Sequence, residues 1–241
     1  MNVALIADIH GNLTALDAAL TAIDQERPER IICLGDVAAM GPQPREVLAR
    51  LRQRGIPSVM GNADAELLDP SSMPEDNEDD RKFKAMTAWA AAQLDAADRA
   101  FLAGFAPAIE VALGPWRLIC CHGSPRSFND VITAATPDDD LATMLAGLDA
   151  DLIVGGHTHI RMLRAWQGRE LINPGSVGLA YEFFPDGSVR IPPWAEFAIL
   201  TATGDTVRID FRRIPYDREA TLRAMHDRAM PHAQWWLVDW R

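Results

Sequence analysis

The chain has 241 residues, of which 48% are hydrophobic and 24% charged, a composition that excludes collagen-like, fibrous and disordered classes. Its net charge of −11 speaks against general nucleic-acid binding, which leans on Lys and Arg contacts to phosphate, and against an anionic membrane surface. The 3 cysteines, two of them adjacent (Cys120 and Cys121), do not make a disulfide framework. The opening segment lacks a basic signal-peptide stretch, and no apolar run approaches the roughly 20 residues of a membrane span, so a reducing cytoplasm is expected.

In chain order, short apolar runs alternate with helical stripes, the pattern of an α/β protein whose sheets are covered by helices. Residues 3–7 read as a buried strand, and Leu13, Leu16, Leu20 and Ile23 follow at helical spacing. Residues 31–34 repeat the strand pattern, and 46–54 predict a helix stopped by Gly55. Residues 56–60 predict a third strand, with Pro57 marking its start or an edge. Turn chemistry follows at 69–74, then an acidic run at 75–80 that reads as solvated loop, then a helical stretch at 83–105. A helical insertion is therefore expected near residues 67–107. Strands are expected at 109–113, 117–121 and 151–154, with a helix at 138–148. Hairpins follow around Gln167-Gly168 and Gly204-Asp205, then a closing helix at 219–230. With no repeat and no Gly/Ser linker, a single domain spanning 1–241 is expected.

The strands end in metal-ligand residue types. Asp8-Ile-His10-Gly-Asn12 follows the first, Gly35-Asp36 the second and Gly61-Asn62-Ala63-Asp64 the third; later strands run into His122-Gly123 and Gly156-His157-Thr158-His159. Of the 6 histidines, four fall in these clusters. Ligand sites in open α/β sheets form beyond the carboxyl ends of strands, so these loops are expected to converge. Alternation along the chain predicts that Asp8 and His10 point to one side, as do His157 and His159. The glycines at 11, 35, 61, 123 and 156 are expected to permit sharp turns and close approach of a substrate. Taken singly, each motif has a plainer reading: Asp8 or Asn12 as a helix cap, Asp36 as a turn residue, His122 as a satisfied partly buried histidine. Structural reasons acting independently would not place all of them at strand ends. Carboxylate and imidazole together suit first-row transition metals.

This ordered set of motifs resembles the calcineurin-like metallophosphoesterase superfamily, and Asn173-Pro-Gly-Ser176 resembles a stretch in its small bacterial and archaeal phosphodiesterase-like members. The resemblance implies an α/β fold built as a two-sheet β-sandwich flanked by helices, in four layers. It also implies two divalent metal ions (Mn, Fe, Zn, Ni or Co). Asp8, His10 and His159 would bind one ion, Asn62, His122 and His157 the other, and Asp36 would bridge. The implied reaction is hydrolysis of a small phosphomonoester or phosphodiester, nucleotide-like ones included, by in-line attack of a metal-bridging hydroxide. Two divalent ions, two aspartates and one hydroxide carry a net charge of about +1, which attracts phosphate even in an acidic protein.

One position departs from the family. Ala63 stands where many members carry a His that protonates the leaving oxygen, as in the protein phosphatases. Asp36, Asn62 and Asp64 are the expected catalytic residues, and Asn12 and Arg126 the expected substrate contacts. Tyr181, Phe183 and Phe184 could wall a pocket for a base or aryl group, with core packing the plainer reading. The alternatives are a metal-containing binding or regulatory protein with little turnover, and a nuclease, which the acidic balance disfavours. Three of the 7 tryptophans lie in residues 234–240, an apolar load expected to dock on the body or to join a second copy in a homo-oligomer.

Overall fold

A computed structural model describes residues 1–240. In chain order the elements are β1 (Asn2–Ile6), α1 (Leu13–Glu26), β2 (Arg30–Cys33), α2 (Pro44–Gln53), α3 (Asn62–Leu68), α4 (Glu78–Gln93) and α5 (Ala96–Ala103). There follow β3 (Ile109–Leu113), β4 (Trp116–Cys120), α6 (Asp138–Met144), β5 (Leu152–Val154), β6 (Met162–Trp166), β7 (Arg169–Asn173), β8 (Glu182–Phe183) and β9 (Val189–Arg190). The chain closes with β10 (Trp194–Thr203), β11 (Thr206–Pro215), α7 (Arg218–Asp227) and α8 (Ala233–Trp236).

Two mixed sheets form, one in the order β11-β10-β1-β2 and the other β3-β4-β5-β7-β6, with β8 and β9 as a separate hairpin. Within the first, β1 and β2 run parallel; within the second, β4, β5 and β7 do. Alternation along β1 divides the core. Val3 and Leu5 face the second sheet, where they meet Leu118, Cys120, Leu152 and Val154. Ala4 and Ile6 face the opposite way, into a cluster with Leu16, Leu20 and Ile23 of α1 and Val47, Leu48 and Leu51 of α2. The outer face of the second sheet packs Ile119, Ile153 and Leu171 on Leu141 of α6. The layers are helix, sheet, sheet, helix, as the motifs imply.

The structure corrects the sequence reading at several elements. Residues 56–60 make only isolated bridges, Ser58 to Cys33 and Val59 to Ala106. Pro57 has no N–H for a ladder, and its carbonyl accepts from the Cys33 amide at 3.0 Å. The acidic run is not all loop. Asn77 caps α4 by accepting from the Asp80 amide at 2.9 Å, and Glu78, Asp79 and Asp80 fill the first turn, where the helix dipole favours negative charge. The stretch 83–105 is two helices, because Asp95 and Asp98 form a reciprocal cap that starts α5 afresh. The helix expected to run to residue 148 ends at Met144.

The Trp-rich end docks on its own chain. Trp235 and Trp236 meet the Phe83 ring of α4 edge-on, with centroids 5.2 and 5.6 Å away, and Lys82 Nζ sits 4.7 Å over Trp235. Arg218 donates to the carbonyl of Trp240, whose side chain is buried. Among the described residues, no helix is long and apolar enough to cross a membrane.

Candidate metal centre

The parallel strands of both sheets bring their carboxyl ends to one place. There Asp8, His10, Asp36 and His159 gather with ligand atoms within 4.8 Å of one another, and Asp36, His122 and His157 form a second such group. Asp36 belongs to both. Asn62, the first residue of α3 shortly after the Ser58–Val59 bridges, joins them, and its Oδ1 lies 3.1 Å from His122 Nε2. All seven residues expected to bind metal are thus drawn together.

The ligands reach this place by backbone turns rather than by strand alternation. β1 ends at Ile6, before Asp8, and β5 at Val154, before His157. Asp8, His10, Asp36, His157 and His159 all have positive φ, between 46° and 68°. Each such non-glycine residue costs roughly 1–3 kcal/mol and persists only where its surroundings over-determine it. The surroundings here are specific. The Asp8 amide donates to the Gly35 carbonyl and the His10 amide to the Asp36 carbonyl, both at 3.0 Å. The Asp8 carbonyl accepts from the Ser176 hydroxyl at 2.7 Å and the Gly178 amide at 3.0 Å. Asn173 Nδ2 donates to the Gly156 carbonyl at 2.6 Å and to Thr158 Oγ1 at 3.0 Å, pinning the turn that carries both late histidines. Gly61 acts through close approach: a Cβ there would sit 2.1 Å from Asp36 Oδ1.

Asp64 lies under this loop, not in the open site. Its Oδ2 accepts from the amides of Asp36 at 2.8 Å and Gly61 at 3.1 Å, and its Oδ1 from Val37 at 2.8 Å. Burial and the neighbouring Asp36 push its carboxyl up to about 7, against the pull of these amides. It therefore positions Asp36. Asn12, expected to touch substrate, is buried as the cap of α1: its Oδ1 accepts from the Ala15 amide at 3.1 Å and from Thr221 Oγ1 at 3.1 Å. Arg126 is exposed and donates to the Thr143 carbonyl, so its guanidinium is engaged outside the ligand cluster.

The donor set fits divalent metal ions. His122 Nδ1 lies 2.7 Å from the Leu34 carbonyl and His159 Nδ1 2.8 Å from that of Leu179, so both Nδ1 atoms donate outward and both Nε2 atoms face inward, where each binds metal in its unprotonated form. His159 Nε2 stands 3.2 Å from His10 Nε2, and His122 Nε2 3.3 Å from Asp36 Oδ2. Buried Asp8 Oδ2 has no hydrogen-bond partner. Electron pairs crowded this closely call for cations between them. Protons answer part of that demand in the free protein. Burial disfavours charge on His122, but Asp36 and Asp8 overcome this and push it up to about 10. Burial lowers His159 to about 3, and burial raises Asp8 well above the carboxylate range.

Two neighbours were missed in the sequence as parts of this site. Tyr181, which the sequence offers only as a pocket wall or core residue, stacks on His159 with planes 10° apart and centroids at 4.8 Å. Glu66, one helical turn beyond Asn62, has its carboxyl raised by burial and by Asp36 while Asn62 hydrogen-bonds it. An i, i+4 spacing from Asn62 was the one available signal.

A model of the calcineurin-like phosphoesterase superfamily domain matches residues 1–191. The uncharacterized protein MJ0912 of Methanocaldococcus jannaschii is 30% identical over 194 residues, covering 73% of this chain and 76% of that protein. Among solved structures, a metallophosphoesterase from Sphaerobacter thermophilus is 29% identical with a TM-score of 0.71, covering 97% of this chain and 96% of its own. The hypothetical protein PH1004 of Pyrococcus horikoshii shares the fold, with a TM-score of 0.81 at 19% identity and coverage of 99% and 97%. Motifs, layers and ligand cluster agree with these matches, and the chain belongs to the calcineurin-like phosphoesterase superfamily.

Proposed function

We propose that the protein is a metal-dependent phosphoesterase that holds two divalent ions and hydrolyses a small phosphomonoester or phosphodiester. The observation that carries this reading is the sharing of Asp36 between two donor groups, the arrangement a bridging ligand requires. When bound, the ions supply Lewis-acid chemistry: they lower the pKa of water and neutralise charge on a phosphoryl group.

The protein's own residues then divide the work. Asp8, His10 and His159 are buried and hold their ion away from solvent, whereas His157 and Asn62 are half-buried and border the open side where an ester enters. Asp64 and Ser176 set the two aspartate loops from beneath. Ala63 brings no proton donor, and both oxygens of Asp64 are occupied by amides. The leaving oxygen then takes its proton from water, from the substrate, or from Glu66, whose carboxyl beside Asn62 is raised by burial and by Asp36.

The test is turnover of a chromogenic phosphodiester and of an aryl phosphomonoester by protein stripped of metal, then supplied with manganese. Restored hydrolysis of either ester supports the reading. Full metal content with no hydrolysis of either overturns it in favour of a binding or regulatory role.

A further inference from the structure

Glu196 is a buried carboxylate that belongs to neither donor group. It lies on β10 of the first sheet, opposite Arg213 of β11, whose Nε donates to Glu196 Oε1 at 2.7 Å. The same oxygen is 3.1 Å from Nε of Arg161, which stands two residues beyond His159 and just before β6 of the second sheet. Gly175 makes room for this contact: a Cβ there would sit 2.1 Å from Glu196 Oε2 and 2.7 Å from Arg161 Cγ. The Glu196 amide donates to the Ser176 carbonyl at 2.9 Å, and the Ser176 hydroxyl donates in turn to the Asp8 carbonyl. Through Arg161, Glu196 thus reaches the turn that carries His159, and through Ser176 the loop that carries Asp8.

Charge alone does not account for Arg161. One guanidinium neutralises one carboxylate, and Arg213, the cross-strand partner, already does so while lying 4.4 Å over the Trp194 ring. Buried ion pairs add little net stability, because desolvation offsets the attraction. The second arginine is better explained by the segment it comes from. His159 has a φ of 58°, so its turn must be held by its surroundings. Asn173 fixes the entry to that turn through the Gly156 carbonyl and Thr158 Oγ1. On the exit side Ile160 is exposed and β6 is an edge strand, and the Arg161–Glu196 pair ties the chain there to the first sheet. Resting on the metal-dependent reading above, we propose that Glu196 is a positioning residue for the enclosed ion. Acting through Arg161, it holds His159 of one sheet in register with Asp8 and His10 of the other, so that the three grip one ion.

Calorimetric titration of metal-stripped protein with manganese(II), with thermal melting in parallel, tests this without turnover. The binding step that His159→Ala abolishes marks the enclosed position. Arg161→Gln leaves Glu196 paired with Arg213, and it is expected to weaken that step about tenfold while the other step stays unchanged. Arg161→Lys puts a cation back and is expected to recover most of the affinity. Arg213→Gln is expected to lower Tm with both steps intact. Glu196→Gln should weaken the enclosed step as much as Arg161→Gln does, and the double variant no further, because the two side chains act as one unit. Unchanged affinity in Arg161→Gln, or weakening of both steps alike by Arg161→Gln and by Arg213→Gln, would overturn the proposal. The expected metal affinities without hydrolysis of any ester would leave the positioning role standing and sink the phosphoesterase reading instead.

Discussion

The two donor groups that share Asp36 differ in how they are enclosed. Asp8, His10, Asp36 and His159 are all buried, while the group containing His122 and His157 ends in a half-buried imidazole and is joined by half-buried Asn62. The first group is built chiefly on loops of the β1-β2 sheet, braced by Ser176 and Gly178 against the Asp8 carbonyl. The second hangs on the β4 and β5 loops and the start of α3. Enclosure favours retention of an ion, and openness favours exchange of ligands. On the function proposed above, the buried group would anchor an ion and the open one would meet substrate.

The largest expected effect comes from the residue both groups share. Asp36→Asn should lower activity more than about 100-fold and remove at least one metal equivalent, measured by elemental analysis. Full metal content at an unchanged rate would break the assignment. Next, His159→Ala should empty the enclosed position, whereas His157→Ala should leave that ion bound and mainly raise KM, by about tenfold. Identical metal losses in the two variants would erase the distinction between anchor and entry.

Proton release sharpens the same contrast. Asp36 and Asp8 hold His122 protonated at neutral pH in the metal-free protein, up to about 10, and its Nε2 must lose that proton to bind metal. Loading should release at least about one proton per chain, and affinity should rise with pH. Calorimetry in two buffers of different ionisation enthalpy measures this, and equal heats would contradict it. Asp64→Asn should weaken metal binding by about 10–100-fold, because an amide group cannot accept all three amides that now hold the Asp36 loop. Metal titration of that variant decides the point.

The smallest effect on the centre should come from the Trp-rich end. Deleting 234–241 removes the edge-on packing of Trp235 and Trp236 on Phe83. It should cost roughly 3 kcal/mol, lowering Tm by about 6–12 °C, with metal content retained. Loss of both ions in the truncated chain would tie the tail to the centre.

The residues that cluster and the layered fold were legible in the sequence because each motif sits where a short apolar run stops. Residues at 8, 10, 36, 122, 157 and 159 carry a chemistry that few structural roles demand in that order. Their geometry was not legible. Alternation suggested why Asp8 and His10 share a side, yet both lie beyond β1 in left-handed turns held by Gly35, Asp36 and Gly178. Asn12 takes the cap reading that the sequence also offered, while the Thr143 carbonyl that engages Arg126 is a partner no linear pattern displays.

What the amino-acid order determined by itself was local. It set the periodicity that makes strands and helices, the cap at Asn12, and the donor atoms offered at each strand end. Tertiary structure alone decided which donors gather in each group, that Asp64 supports Asp36 from below, and that Tyr181 stacks on His159. Those outcomes depend on contacts between residues such as Asp8 and Ser176, or Phe83 and Trp235, that lie far apart along the chain. Such pairs meet only after two sheets have packed and their loops are held in strained turns, so no local pattern announces them.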